Sequence, residues 1–197
     1  MEISVILAHP DQNSFNHAIA RVCLDALKDL GHIVSFHDLY EEGFDPLLRL
    51  PEIPRTASLD GPTKKHCDEI SSADGIIIVH PNWWGQPPAI LKGWVDRVLR
   101  PGIAYEFMEG DTGEGVPRGL LKARCALVFN TSNTVSEREA RVFGDPLDAM
   151  WKKCVFELCG VARTERRMFN VIVTSDLEQR KRWLSEVACL VRDSFRR

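Results

Sequence analysis

The sequence predicts a doubly wound α/β sandwich in which five parallel strands are covered by helices on both faces. Two observations indicate this class: short apolar runs recur along the chain, and segments with helical periodicity lie between them. Each connection between the predicted strands is long enough to contain a helix, which parallel pairing requires. One core accounts for a chain of 197 residues, so we expect a single domain spanning residues 1–197.

Four of the predicted strands are apolar on both faces, as strands buried in a parallel sheet should be. They are residues 2–8, 75–80, 125–130 and 169–174. Residues 32–39 form a fifth, more polar strand, which we place nearer an edge of the sheet.

Three apolar stripes predict helices between and after these strands. The stripes consist of Ile19, Cys23, Ala26 and Leu30; of Ile90, Trp94, Val95 and Val98; and of Leu184, Val187, Val191 and Phe195. Ser175 and Glu178 have the spacing of a capping box, which predicts that the last helix begins there.

Two long segments follow neither periodicity. Residues 40–61 contain three prolines, and residues 99–120 are rich in glycine and acidic side chains. Long irregular segments in a compact domain usually carry function. We therefore expect both segments near the functional site or at an interface.

The overall composition excludes several classes of partner. The formal net charge is −3 and 44% of the residues are hydrophobic, so neither nucleic acid nor an anionic membrane surface is favoured. No apolar stretch approaches the length needed for membrane insertion. The N-terminus lacks the basic flank and cleavage site of a secretory signal, which predicts a cytoplasmic protein.

The six cysteines are scattered, without C-x-x-C pairs or histidines at metal-ligand spacing. We therefore predict no metal site and interpret most cysteines as small core residues. Cys67 and Cys154 lie in more polar surroundings, so exposed thiols at these two positions are the alternative.

In a doubly wound sheet, ligands bind outside the carboxyl ends of the strands, where the winding direction reverses. The first predicted strand leads into residues 8–20, which contain neither G-x-G-x-x-G nor a P-loop. Asn13, Ser14 and Asn16 instead lie where a helix begins, and its unpaired N–H groups favour a phosphate. Asn13 or Ser14 could equally serve as a helix cap, and His9 as a core histidine.

The third predicted strand leads into "HPNWWGQPP", residues 80–88. Trp83 and Trp84 cannot both enter the core, and the neighbouring glycine and prolines make the turn stiff. Such a turn suits a flat heteroaromatic ring. The alternative is a hydrophobic loop that packs on a neighbouring subunit.

The fourth predicted strand leads into "NTSNT", residues 130–134, which offers small polar side chains. Thr134 and Glu137 have capping-box spacing, so Glu137 is first of all a structural candidate. Taken together, the three loops predict a site for a phosphorylated planar ligand.

These loops resemble those of the flavodoxin-like NAD(P)H:quinone oxidoreductases, which include the DT-diaphorase type and ancillary subunits of potassium-efflux systems. The resemblance covers residues 3 to about 160. "HPDQNSFNHAI" is similar to the phosphate loop of the family, and "PNWWGQPPAILKGWVDRVL" with "GIAY" resembles its isoalloxazine loop and the following helix. "NTSNT" with "ELCG" is a looser match, because the family commonly has Thr-Thr-Gly-Gly in that loop.

The resemblance implies a tightly held FMN or FAD and a homodimer with its sites at the interface. It also implies ping-pong transfer of two electrons from NAD(P)H to a quinone-like acceptor. The residues it assigns to the cofactor are His9, Ser14, Phe15 and Asn16 on the phosphate side, Pro81, Asn82, Trp83, Trp84 and Gly85 around the isoalloxazine, and Thr131, Ser132 and Asn133 along an edge of the ring. Tyr105 would face the substrate, and Tyr105 and Glu137 are the candidate catalytic side chains. Backbone N–H groups of residues 82–86 and 131–133 would stabilise negative charge on the reduced ring.

Three departures from the family pattern bear on the acceptor and the cofactor. The tyrosine and the histidine of the DT-diaphorase branch align with Glu137 and Phe143, which cannot make the same hydrogen bonds. Ser132 and Asn133 replace a glycine pair and narrow the space over the ring. A glutamine associated with FAD in that branch has no counterpart in residues 40–61, which favours FMN over the alternative, FAD.

Two other functions could use the same loops: a flavin-binding regulatory subunit of a membrane transporter, and a one-electron carrier of the flavodoxin type. Such carriers usually present a strongly acidic face, whereas the net charge here is only −3. The predicted strand ends lack the acidic residues of a phosphoacceptor receiver, and no G-x-S-x-G nucleophile elbow occurs. The sequence does not indicate whether NADH or NADPH is the donor.

Overall fold

Seven strands occur in the part of the chain that the computed structural model describes, namely residues 1–108, 110 and 115–196. In chain order they are β1 (Glu2–Leu7), β2 (Ile33–Asp38), β3 (Gly75–Pro81), β4 (Tyr105–Glu106), β5 (Arg118–Gly119), β6 (Cys125–Thr131) and β7 (Arg163–Phe169). Five of them form a parallel sheet in the order β2-β1-β3-β6-β7, while β4 and β5 pair as an antiparallel ribbon. The predicted five-stranded parallel sheet is confirmed, with β2 at an edge as expected.

The helices are α1 (Phe15–Asp29), α2 (Gly61–Ser72), α3 (Ala89–Val98), α4 (Ser136–Arg138), α5 (Pro146–Ala149) and α6 (Leu177–Phe195). A π-helical stretch follows α4 directly at Glu139–Phe143, and another follows α5 at Met150–Glu157. Each of the three predicted stripes lies within or next to a helix that packs on the sheet.

The helices cover both faces of the sheet. Side chains of α1 and α6 pack on one face together with Ile3 and Val5 of β1. Side chains of α2, α3 and α5 pack on the other face, where Ile6 of β1 points. This alternation along β1 is the two-residue period of a strand buried on both sides, and it confirms the doubly wound architecture.

The fifth strand of the sheet does not lie where the apolar run at 169–174 predicted it. It is β7, Arg163–Phe169, and only its last two residues are buried. The prediction was wrong because an edge strand can carry charged side chains along most of its length. After Phe169 the chain leaves the sheet, and the side chain of Val173 is 73% exposed.

The two predicted capping boxes are also absent. Helix α6 begins after Asp176, whose carboxylate accepts a hydrogen bond from the Gln179 N–H at 2.7 Å. Helix α4 begins after Val135, which makes no side-chain cap, so Thr134 and Glu137 do not cap it. At α1, Ser14 is the cap and accepts a hydrogen bond from the His17 N–H at 3.3 Å.

The irregular segment 40–61 is tied to α3 by a buried arginine. Arg97 is 2% exposed and donates to the Glu52 carboxylate at 2.7 and 2.9 Å and to Asp60 at 2.5 Å. The carboxylate of Glu52 raises the pKa of Arg97, so the guanidinium stays charged. Gly93 of α3 touches the same segment closely, because a Cβ there would lie 2.2 Å from the Pro46 carbonyl oxygen.

Four cysteines are buried and two, Cys154 and Cys189, are exposed. Cys67 is 1% exposed, so the alternative of an exposed thiol at that position is wrong, and this burial raises the pKa of the thiol to about 11. Within the described residues, no helix is long and apolar enough to span a bilayer.

Candidate ligand site at the carboxyl edge of the sheet

The winding direction of the sheet reverses between β1 and β3, because the chain runs from β1 to β2 on one side and continues with β3 on the other. A cavity of about 860 Å³ lies at the carboxyl ends of β1, β3 and β6. This is the position at which doubly wound sheets bind ligands, and the volume is in the range of small-molecule sites.

The structure brings all twelve predicted cofactor residues into the wall of this one cavity. They are His9, Ser14, Phe15, Asn16, Pro81, Asn82, Trp83, Trp84, Gly85, Thr131, Ser132 and Asn133. Tyr105 of β4 and the exposed Glu137 of α4 do not line it. Neither do the described residues of segments 40–61 and 99–120, so of the two expected places for them, the site or an interface, the interface stays a prediction.

The N-terminus of α1 offers an anion site at one end of the cavity. The Ser14 and Asn13 N–H groups are bonded to Asp11, at 3.0 and 2.9 Å. The N–H groups of Phe15 and Asn16 have no hydrogen-bond partner in the described part of the chain, and the first turn of α1 carries no acidic residue. Two unpaired donors at the positive end of a helix dipole favour a phosphate.

Asn16 joins this helix to the end of β6. Its side chain is 2% exposed, and its amide nitrogen donates to the Thr131 hydroxyl oxygen at 3.0 Å. Its carbonyl oxygen Oδ1 is buried and has no partner among the described residues. Since a buried acceptor without a donor costs free energy, Oδ1 is suited to accept a hydrogen bond from a ligand hydroxyl.

The aromatic turn after β3 is rigid and closed by its own hydrogen bonds. The backbones of Trp83 and Gln86 exchange two bonds of 3.0 Å, and the Asn82 side-chain oxygen accepts from the Gly85 N–H at 2.9 Å. Trp84 has a φ of 58°, a conformation that is costly for a residue with a side chain and recurs at functional sites. It holds the indole of Trp84 fully exposed.

Trp83 connects the aromatic turn to the phosphate end of the cavity. Its ring centroid lies 6.2 Å from that of His9, which follows β1. Burial lowers the pKa of His9, and its Nδ1 accepts a hydrogen bond from the Asp11 N–H at 3.0 Å. His9 is therefore a neutral wall residue rather than a cation.

The hypothesis of a broad set of backbone donors around a ring needs correction. The N–H groups of Asn82, Trp83, Gly85 and Gln86 are used within the turn or on β6, and that of Ser132 donates to Phe169. In the two segments expected to supply such donors, residues 82–86 and 131–133, the N–H groups of Trp84 and Asn133 have no partner among the described residues. Charge stabilisation by backbone dipoles is thus confined to fewer donors than expected.

Six wall residues were not among the predicted cofactor residues: Asp11, Thr134, Glu139, Phe143, Pro146 and Ile172. Glu139 is 2% exposed and accepts a hydrogen bond from the Asn82 amide at 3.0 Å, so it braces the aromatic turn. The capping pattern pointed to Glu137, but the two residues lie on different sides of the helical segment.

Arg166 of β7 holds the loop that carries Phe143 and Pro146. Its guanidinium donates to the Asn130 side-chain oxygen at 2.8 Å and also to the carboxylates of Asp145 and Asp148. Because Asn130 belongs to β6, this arginine, whose side chain is 5% exposed, fixes the loop against the end of β6 that precedes Thr131 of the cavity wall.

One cluster outside the cavity has the geometry of a metal site. His37, Glu42 and His66 bring possible ligand atoms within 4.8 Å of one another. The Nδ1 atom of His66 accepts a hydrogen bond from Trp94 at 3.1 Å, so the proton of the neutral ring resides on Nε2, which faces Glu42 at 3.3 Å. Burial lowers the pKa of His66 to about 3. The potential ligand atoms are already hydrogen-bonded, and we assign no metal to them.

The buried side chain of His80, in the strand that leads to the cavity, should make the free energy of unfolding depend on pH. Its Nδ1 donates to the Pro81 carbonyl at 2.8 Å and its Nε2 accepts from the Trp151 indole at 2.9 Å, so the ring is neutral. Burial lowers its pKa to about 4. Between about pH 6.5 and about pH 4 the unfolded chain binds a proton at this ring and the folded chain does not, so stability falls as the pH falls.

Urea denaturation should therefore give a free energy of unfolding that drops between about pH 7 and about pH 5, with roughly 2 kcal/mol of the drop due to His80. In His80→Gln, which keeps an acceptor for the Trp151 indole, the drop should be smaller by that amount. Parallel pH curves for the two proteins would contradict this assignment.

The fold and the cavity define a doubly wound α/β protein with a cavity of small-molecule size at its topological switch point. Comparison with known proteins gives the family. The family described as "Flavodoxin-like fold" matches residues 1–187. A protein of Haemophilus influenzae named as an uncharacterized NAD(P)H oxidoreductase is 36% identical over 186 residues, which is 90% of this chain and 87% of that protein.

A ribosyldihydronicotinamide dehydrogenase (quinone) of Pongo abelii is 30% identical over 76% of this chain and 72% of its own length. An FMN-dependent NADH-azoreductase of Bacillus anthracis, solved in complex with FMN, superposes with a TM-score of 0.75 over 98% of this chain and 99% of its own. Its identity is 17%, so this likeness concerns the fold alone. The chain belongs to the flavodoxin-like NAD(P)H:quinone oxidoreductase family and is an enzyme of that type.

Proposed function

We propose that this chain is a flavin-dependent oxidoreductase that takes two electrons from NAD(P)H and passes them, by ping-pong exchange, to a quinone or a similar small acceptor. The observation that carries the proposal is the shared wall of one cavity, which joins the unpaired N–H groups of α1 to the aromatic turn of Trp83 and Trp84. A phosphate and a flat ring in one molecule match these two ends.

The residues present fit a flavin, and FMN in particular. The Phe15 and Asn16 N–H groups would hold its phosphate, the orphaned Asn16 Oδ1 would accept a hydroxyl of its ribityl chain, and the turn 83–85 would hold its ring. No lysine or arginine lines the described cavity wall, so the second phosphate of FAD would find no cation there. The fold neighbour solved with FMN is consistent with this choice.

When bound, the flavin would supply the hydride chemistry, which leaves binding and orientation to the protein. The rigid turn at 82–86 would hold the ring in the cavity, and the cavity wall would shield it from water. No wall residue needs to act as a general acid. The catalytic roles of Tyr105 and Glu137 stay predictions, and both lie outside the cavity wall.

The experiment that tests this function follows the two half-reactions separately by the visible absorbance of the FMN-loaded protein without oxygen. We expect NADH or NADPH alone to bleach the flavin fully, and a quinone added afterwards to restore its colour. Reduction that requires donor and acceptor together would contradict ping-pong exchange. A protein that takes up no flavin would contradict the function itself.

Trp84→Ala should weaken the retention of FMN about tenfold, because the exposed indole would no longer stack on the ring. Equilibrium dialysis against FMN measures this loss. Ile33→Ala is the control, since Ile33 is 69% exposed and lies outside the cavity wall. Equal FMN affinity of Trp84→Ala and the wild type would favour the alternative, in which this turn packs on a neighbouring subunit.

We also propose a homodimer, and its support is exposed apolar surface outside the cavity. Leu50 is 80% exposed, Ile53 58%, Met108 57% and Val116 84%. These residues belong to the irregular segments 40–61 and 99–120, and such surface is typical of association sites. Light scattering should give twice the mass of one chain, and a monomeric mass would contradict the proposal. The cytoplasmic location stays a prediction.

A further inference from the structure

Glu139 places a buried carboxylate in the cavity wall. Its side chain is 2% exposed, and the partner of its Oε1 is a neutral amide, Asn82 Nδ2, at 3.0 Å. Glu139 forms no ion pair with a described residue, and neither lysine nor arginine lines the described wall. Arg166, which fixes the loop after Glu139, forms its ion pairs with Asp145 and Asp148. The carboxylate is therefore not neutralised by a neighbouring cation.

A negative charge in the cavity wall raises the free energy of any further negative charge in the cavity. Like charges repel more strongly in a partly desolvated site than in water. Hydride transfer from NAD(P)H delivers two electrons and one proton, so the acceptor gains one negative charge unless a second proton follows. An ionised Glu139 would disfavour that gain.

We propose that Glu139 lowers the midpoint potential of the bound flavin, so that the cavity holds the oxidised form more tightly than the reduced form. This inference rests on the proposed function, since it requires a flavin in the cavity. It makes the protein a stronger reductant toward its acceptor and a poorer acceptor from NAD(P)H. Glu139 acts here through its charge, and through Asn82 it also positions the aromatic turn.

Two matched variants separate the charge from the positioning. Glu139→Gln keeps the length of the side chain and an oxygen that can accept from the Asn82 amide. Glu2→Gln removes the same charge from an exposed side chain that lies outside the cavity wall. Both variants and the wild type, loaded with FMN, are equilibrated with a redox dye, and the spectra give the ratio of reduced to oxidised flavin.

At a fixed potential, Glu139→Gln should raise this ratio about tenfold, which is about 30 mV for a two-electron couple. Glu2→Gln should change it less than about twofold, because an exposed charge is screened. An unchanged ratio in Glu139→Gln, or equal changes in both variants, would overturn the inference while leaving the proposed function in place.

If the Glu139→Gln variant does not fold, a measurement on the wild type still tests the inference. Oxidised FMN should bind at least about tenfold more tightly than chemically reduced FMN, which corresponds to a midpoint potential of the bound FMN about 30 mV below that of free FMN. Equal affinity, or tighter binding of reduced FMN, would overturn the inference. If the wild type binds neither form, the proposed function fails first and this inference fails with it.

Discussion

Replacing Arg97 with methionine is expected to lower the free energy of unfolding by roughly 3 kcal/mol. Methionine fills a similar space, but it leaves the Glu52 carboxylate, whose side chain is 11% exposed, without its guanidinium partner. It also frees the Asp45 carbonyl, to which Arg97 donates at 2.7 Å. The segment 40–61 would then lose its main attachment to α3, the helix that directly follows the aromatic turn.

Urea denaturation of two further variants separates the buried charge from the lost contact. Arg49→Met removes an exposed arginine whose partner, Asp45, is also exposed, and it should cost less than about 1 kcal/mol. Adding Glu52→Gln to Arg97→Met should recover part of the loss, because no lone carboxylate remains buried. If Arg97→Met and Arg49→Met are equally stable, the arginine does not anchor the segment.

Replacing Asn16 with alanine is expected to weaken FMN binding by a factor of about 10 to 100. The variant removes the buried Oδ1 that would accept a hydrogen bond from the ligand. It also removes the hydrogen bond of 3.0 Å that connects α1 to Thr131. Both changes act on the phosphate and ribityl end of the cavity. Isothermal titration with FMN gives the dissociation constant directly.

Asn13→Ala is the matched control for this measurement. Asn13 precedes the same helix but is exposed and lies outside the cavity wall. Its variant should bind FMN within about twofold of the wild type, since no buried contact is lost. Equal losses in Asn13→Ala and Asn16→Ala would mean that the helix start, and not the Asn16 side chain, determines affinity.

The sheet could be predicted largely because its inner strands are buried on both faces. Such strands are continuous apolar runs, and β1, β3 and β6 were predicted at nearly their observed limits. The same criterion failed for β7, where Arg163 to Arg167 form an edge strand with partly exposed side chains. A run such as 169–174 has the right composition, but pairing with β6 decides the position of the strand.

The cavity wall could be predicted where it follows directly from strand order. Once the carboxyl ends of β1, β3 and β6 are adjacent, the loops after them must meet. Glu139, Phe143 and Pro146 could not be found in this way. They belong to a helical stretch of irregular periodicity and the loop after it, which Arg166 fixes by contacts between residues far apart in the sequence.

The orphaned Asn16 Oδ1 and the brace from Glu139 to Asn82 likewise depend on side-chain geometry that no local pattern encodes. The spacing rule for capping boxes selected Glu137 because it counts residues and not the direction of the side chain. Sequence patterns thus located the site, whereas its electrostatics required the three-dimensional structure.

A crystal structure of the protein grown with saturating FMN is the most direct measurement of the central claim. The account predicts the phosphate within hydrogen-bond distance of the Phe15 and Asn16 N–H groups, and the ring against the turn 83–85. Clear density for FMN at another surface, or an empty cavity at saturating FMN, would contradict it.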